Sequence, residues 1–169
     1  LPKNDPKLVE EIISSLGFSG EEIVPTPNKE ETLLRKAITE NYVITTPDKK
    51  LLKAINEKAG PTEWQDLMEP DRKIELNNFL WGRSVIDLLK AHPEVKFQPT
   101  EFVALLKKLN VRLYSVASSL ASKPNEVHLT VAVVEYESFG RIRQGVCSSW
   151  LTERINDDTP IPCFITPGK

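Results

Sequence analysis

The sequence predicts an α+β fold whose two halves differ in kind. Capped helical patterns fill the first hundred residues, none of them sustains a heptad, and strand patterns dominate residues 112–165. Asp5 is a natural N-cap and Pro6 suits a first helical turn. Leu8, Ile12, Ile13 and Leu16 then form one apolar stripe that Gly17 terminates. A second helical pattern covers residues 30–41, with Leu33, Leu34, Ala37 and Ile38 on one face. Tyr42-Val43-Ile44-Thr45 is short, β-branched and aromatic, which suits either a bridge strand or an extended connector. Thr46-Pro47-Asp48 opens the next helix, which carries Leu51, Leu52 and Ile55 and stops at Gly60-Pro61. Thr62, Ser84 and Thr100 each precede another short helix, over 63–67, 85–89 and 101–109, and one more lies between Asp71 and Trp81. Together they predict a compact helical bundle.

The character changes near Asn110. Residues 112–118 read as a strand, Pro124-Asn125 as a turn, and residues 127–136 as a second strand, so an antiparallel hairpin is the simplest arrangement. In that second strand both alternating sets are largely apolar, as in a strand half-covered on each face. Gly140 marks a further turn, a short helix is expected over 149–155, and strand character resumes over 161–165.

Composition narrows the function classes. A chain of 169 residues buries roughly 70% of its unfolded surface, so it folds without needing a disulfide or metal. The net charge of −2 gives no cationic footprint for a nucleic acid or an anionic membrane. No apolar run approaches the ~20 residues of a bilayer span, and the opening Leu1-Pro2-Lys3-Asn4-Asp5-Pro6 is not a secretion signal. A cytoplasmic location is expected. Cys147 and Cys163 form no CxxC pair and are expected as reduced thiols. With two histidines, His92 and His128, neither a metal centre nor a Ser-His-Asp hydrolase is expected. The seven glycines form neither a dinucleotide fingerprint nor a phosphate loop, and there is no HExxH or GxSxG. No catalytic residue is assigned.

Two clusters can carry chemistry. In Arg112-Leu113-Tyr114-Ser115-Val116-Ala117-Ser118-Ser119, an extended strand puts Arg112 and Tyr114 on one face. A guanidinium there suits phosphate and a phenol ring suits stacking, although a surface arginine beside an ordinary strand tyrosine has the same pattern. Gly145-Val146-Cys147-Ser148-Ser149 leads into a helix, where glycine admits close backbone approach and free amides face an anion. A plain N-cap at Ser148 or Ser149 is the alternative. A hydrolase using Ser115 or Ser148 with His128 lacks a nucleophile elbow.

Residues 112–119 resemble the RxYSxxS signature of the ferredoxin–NADP reductase superfamily. The stretch from His128 to Tyr136, Gly140-Arg141 and Gly145-Val146-Cys147-Ser148-Ser149-Trp150-Leu151 are similar to the diflavin reductases, most nearly to their sulfite-reducing branch. The opening Leu-Pro-Lys-Asn-Asp-Pro resembles the xPxND stretch that follows the family's early barrel strands.

The resemblance implies a small helical connecting domain inserted in an antiparallel, ferredoxin reductase-like β-barrel. Residues 1–29 would belong to the FAD-binding domain, 30–109 to the connecting domain, and 110–169 to the C-terminal half of the FAD-binding barrel. It implies that Arg112 pairs with the FAD diphosphate, Tyr114 stacks on the isoalloxazine and Ser115 bonds near its reactive edge, with Leu113 between them. Thr130, Val131 and Ala132 would line the ribityl and ring, and Tyr136 the adenosine end. Gly145, Val146, Cys147 and Ser148 would hold the diphosphate, and Thr45 would border FAD. Val111 stands where the family often has proline. The first barrel strands, the NADPH-binding domain and the flavodoxin-like FMN domain are expected outside this chain, leaving its barrel incomplete. The implied activity is part of an NADPH-dependent flavoprotein oxidoreductase, passing electrons from NADPH through FAD and FMN to a haem-containing partner. The fragment alone should not turn over NADPH. A non-catalytic module that docks an electron-transfer partner is the alternative.

Overall fold

The computed structural model describes residues 1–167; Gly168 and Lys169, the end of the predicted C-terminal unit, lie outside the described residues. Helix α1 (Pro6–Leu16) runs as the sequence predicts: Asp5 Oδ1 accepts from the Lys7 amide at 2.9 Å, and Gly17 closes the helix at φ +71°. That left-handed conformation is the reason for a glycine there. Residues 23–25 and 31–33 pair as β1 (Ile23–Pro25) and β2 (Glu31–Leu33), a hairpin the sequence reading missed. The helix predicted from residue 30 therefore starts only at α2 (Leu34–Glu40), because its first turn is spent on the ladder. The Tyr42-Val43 stretch is β3 (Tyr42–Val43), antiparallel to β4 (Lys107–Lys108), which settles the choice for a bridge strand.

Helix α3 (Lys49–Ala59) starts at its Asp48 cap and ends at Gly60. The segment after Thr62 is a 3-10 turn, Gln65–Met68, and a second such turn, Pro70–Arg72, leads into α4 (Lys73–Leu80). Helix α5 (Val85–Ala91) opens with a capping box in which Asp87 Oδ2 accepts from the Ser84 amide at 2.6 Å. Helix α6 (Pro99–Ala104) begins at Gln98 rather than Thr100 and yields to β4 before residue 109.

These elements share one core, in which Ile12, Leu34, Ile38, Leu52, Ile55, Trp64, Ile86 and Phe102 are fully buried. Its polar donors are paired, while Asn4 Oδ1 is buried without a partner. Asn4 Nδ2 donates to the carbonyls of Ile38 and Tyr42 at 2.8 and 2.7 Å, and Trp64 Nε1 donates to that of Leu52 at 3.1 Å. The core thus unites α1, from the first 29 residues, with the helices of 30–109.

The C-terminal region departs from expectation. Residues 112–118 form no strand, and the predicted hairpin survives as one antiparallel bridge between Val116 and Leu129. Strand structure in the second arm is confined to β5 (Glu135–Ser138), paired with β6 (Arg141–Gln144) across the expected turn at Gly140. Helix α7 (Val146–Glu153) starts three residues earlier than predicted, and residues 161–165 are not a strand. The described residues thus hold three separate two-stranded ladders, none closed into a barrel. A strand buries its backbone only against a partner, and the apolar side chains of Leu113, Val116, Leu129 and Val133 are exposed instead.

Candidate functional site

The second cluster lies at the start of α7. Tyr114 of the first cluster is half-buried, and Cys147 raises its phenol pKa, with burial adding to the effect and Arg112 opposing it. The N-cap of α7 is Gly145, not Ser148 or Ser149. Its amide donates to Val134 O at 2.8 Å. A Cβ at Gly145 would sit 2.9 Å from the Val134 Cβ and 2.8 Å from Ser148 Oγ. The glycine therefore lets the 130–134 stretch close on the helix start, a backbone neighbour the sequence did not indicate. Ser148 is buried and accepts from the Val134 amide at 3.2 Å; Ser149, also buried, donates to Gly145 O at 2.6 Å.

From Gly145 the β5–β6 ladder continues the track. Glu135 faces Gln144 and Tyr136 faces Arg143, so Tyr136 stands two residues from the helix cap across the ladder. A cleft of about 160 Å³ opens beside it, lined by Thr45, Tyr136, Arg141, Arg143, Val146 and Arg154 among others. Thr45, Tyr136 and Val146, three predicted cofactor residues, thus line the same cleft. Of the other predicted residues, Val131 is half-buried, and Arg112, Leu113, Ser115, Thr130 and Ala132 are exposed on the same C-terminal stretch.

Residues to which no role was assigned from the sequence hold this cleft in place. Arg141 makes a two-pronged ion pair with Glu11 of α1, at 2.9 and 2.5 Å. Hydrogen bonds from Arg141, helped by Lys90, outweigh burial and lower the Glu11 pKa to about 2. Arg143 Nη1 reaches Asp87 Oδ2 at 2.8 Å and Ser84 Oγ at 3.0 Å, while its other nitrogens donate to Ser138 O. Burial pushes the Asp87 pKa up, but the Ser84 amide and Arg143 prevail and lower it. Arg154 donates to Ser149 Oγ, Lys3 O and Val146 O at 3.0, 2.9 and 3.1 Å, tying the end of α7 to the N-terminus. The chain turn before α5 also packs here. The Arg83 guanidinium lies 4.0 Å from the Phe79 ring centre and 3.9 Å from that of Phe139. Trp81 stacks on Tyr136 with centroids 6.2 Å apart. The Trp81-Gly82-Arg83-Ser84 run, a glycine flanked by an aromatic and a cation before a helix cap, was the available signal.

The arrangement offers a stacking ring, a helix start and a second ring in succession, the chemistry a dinucleotide needs. Among the described residues no group of side chains could hold a metal ion, and no helix is long and apolar enough to cross a membrane.

Comparison with known proteins gives a consistent result. The family model described as "FAD binding domain" matches residues 1–150. The chain is 37% identical over 166 residues to the "Sulfite reductase [NADPH] flavoprotein alpha-component" of Bacillus subtilis, covering 97% of this chain and 27% of the relative. The proteins of the same name from Baumannia cicadellinicola and Vibrio cholerae are 37% and 36% identical, each over 96% of this chain. The chain spans about a quarter of the length of these relatives, 27% and 26% respectively.

Proposed function

The chain belongs to the FAD binding domain family, and from that membership we propose that it holds FAD along the track from Tyr114, over the start of α7, to Tyr136. FAD, when bound, supplies the chemistry of accepting hydride and releasing electrons singly. The protein's part is to grip and orient it. Arg112 offers a charged donor fork to the diphosphate, with the amides of Val146, Cys147 and Ser148 completing the cradle and Gly145, whose own amide is spent on Val134 O, giving the close backbone approach. Tyr114 presents its ring to the isoalloxazine, flanked by Leu113, and Ser115 donates near the ring's reactive edge. Thr130, Val131 and Ala132 line the ribityl side, and Tyr136 and Thr45 the adenosine side. The observation that supports this reading is the closure of the 130–134 stretch on the start of α7, where the Gly145 amide donates to Val134 O at 2.8 Å.

In the parent protein this segment would be the FAD-binding and connecting part of an NADPH-dependent sulfite reductase flavoprotein. Residues 30–109 would form the connecting domain and residues 1–29 and 110–169 parts of the flavin barrel. The exposed Leu113, Val116, Leu129 and Val133 would then face barrel strands outside this chain. Electrons would pass from NADPH to FAD, to an FMN-carrying flavodoxin-like domain and to a haem-containing partner, in a cytoplasmic setting. The isolated chain should not oxidise NADPH. The same exposed apolar residues also favour a second reading, a module that docks an electron-transfer protein without binding flavin itself.

Titrating FAD into the purified chain separates the two. Saturable binding is expected. Arg112→Ala removes a charged hydrogen bond of about 1.5–3 kcal/mol and should weaken FAD ten- to hundredfold. Tyr114→Ala should cost about 0.5–1.5 kcal/mol. FAD affinity unchanged in both variants would remove the site assignment, and no FAD uptake at all would favour the docking module.

A further inference from the structure

The β5–β6 hairpin runs straight into the start of α7, yet little apolar burial holds it in place. Tyr136, Phe139 and Ile142 are 43%, 57% and 62% exposed. Among the described residues each four-residue arm pairs with the other and with no further strand. A lone hairpin of that size is marginal in water. Beyond the contacts of Trp81, Gly82 and Arg83, its attachment to the helices is polar. Arg141 and Arg143, two apart on β6, point to one side, and each ends on the carboxylate of a helix.

The two carboxylates differ in what else they do. Asp87 caps α5, accepting from the Ser84 amide and hydroxyl at 2.6 and 2.9 Å, so its loss would disturb a helix as well. Glu11 has no such duty: α1 packs through Val9, Ile12, Ile13 and Leu16 and is capped by Asp5 and Gly17. Its two oxygens take the Arg141 fork at 2.9 and 2.5 Å, and one of them also takes the Lys90 ammonium of α5. One carboxylate thus joins α1, α5 and β6. Without its charge, two cations converge on the same spot and repel. Strand β6 ends at Gln144 and Gly145 already caps α7, so no loop absorbs a displacement of β6 before it reaches the helix start.

We infer that Glu11 is a positioning residue of the cofactor site: acting through Arg141, it holds β6 and with it the α7 start where the dinucleotide is received. This rests on the FAD reading above and extends the site's support to α1. Glu11 borders the cleft, but both its oxygens are occupied, so it works on its cationic partners and not on the cofactor.

FAD titrations of the 169-residue chain test this. Glu11→Gln should weaken FAD about five- to tenfold, the lower range of coupling between separate sites. In an Arg141→Gln chain the same change should add little, because the group it acts through is already gone. Glu11→Asp keeps the charge and should restore most of the loss. In the flavin-free Glu11→Gln chain, amides of residues 135–148 should exchange faster while those of α1 keep their rates, which separates hairpin placement from helix stability. Full FAD affinity in Glu11→Gln would overturn the role and leave the FAD reading standing. So would a loss that adds in full to that of Arg141→Gln, one that Glu11→Asp does not relieve, or equal acceleration of exchange in α1. A wild-type chain that takes up no FAD would overturn both.

Discussion

Residues 1–109 and residues 110–167 carry similar apolar patterns and put them to different use. In the first region Ile38, Leu52, Ile55 and Phe102 are fully buried; in the second Leu113, Val116, Val127 and Val133 are all about half exposed or more. The difference lies in where each kind of element finds its hydrogen bonds. A helix satisfies its own backbone and needs only one covered stripe, which neighbouring helices supply within a short stretch of sequence. A strand needs a partner on at least one edge and a layer over its face. Among the described residues of the C-terminal region, strand partners exist only at the Val116–Leu129 bridge and the β5–β6 ladder, so apolar alternation there does not produce a buried sheet.

The sharpest break in this comparison comes from truncating one large side chain in each region. Phe102→Ala should cost about 3–5 kcal/mol in urea unfolding, as for other buried aromatics. Val133→Ala, at 52% exposure, should stay within about 0.5 kcal/mol. Equal losses would mean that the C-terminal stretch packs as densely as the helices.

A smaller effect sharpens the helical side. The His92 ring sits edge-on to Trp64, with Nε2 2.9 Å from Glu63 Oε2 and Nδ1 3.1 Å from Glu94 Oε1. Burial disfavours its charge, but the two carboxylates more than compensate and raise its pKa. The folded chain therefore holds this proton more tightly than the unfolded one. The contribution is fully present below the unfolded value of about 6.5 and disappears as pH rises through the higher folded value. The expected change is no more than about 1 kcal/mol, given the partly exposed carboxylates. Unfolding midpoints from pH 5.5 to 8.5 should show it, and His92→Gln should flatten it. A midpoint rising with pH over that range, and unaffected by the substitution, would contradict the geometry.

Legibility followed the same division. Asp5, Pro6 and Gly17 gave both ends of α1, and Ser84 gave the start of α5, because caps act within a few residues. The β1–β2 hairpin escaped notice because each arm is three residues long, too short for a period to register. At the site, Tyr114 and the Gly145 turn were readable as chemistry, but the approach of Val134 to Gly145 depends on a chain path that no local pattern encodes. Arg143, Glu11 and Arg154 were invisible for the same reason. Each finds its partner far along the chain, 151 residues away for Arg154 and the Lys3 carbonyl.

The central claim is that flavin occupies the open C-terminal track and leaves the helical core as it is. Amide hydrogen exchange with and without saturating FAD tests it most directly. The account predicts slower exchange at residues 112–115, 130–136 and 145–148, with α1 and α3 unchanged. Protection confined to the helical core, or none anywhere despite bound FAD, would contradict it.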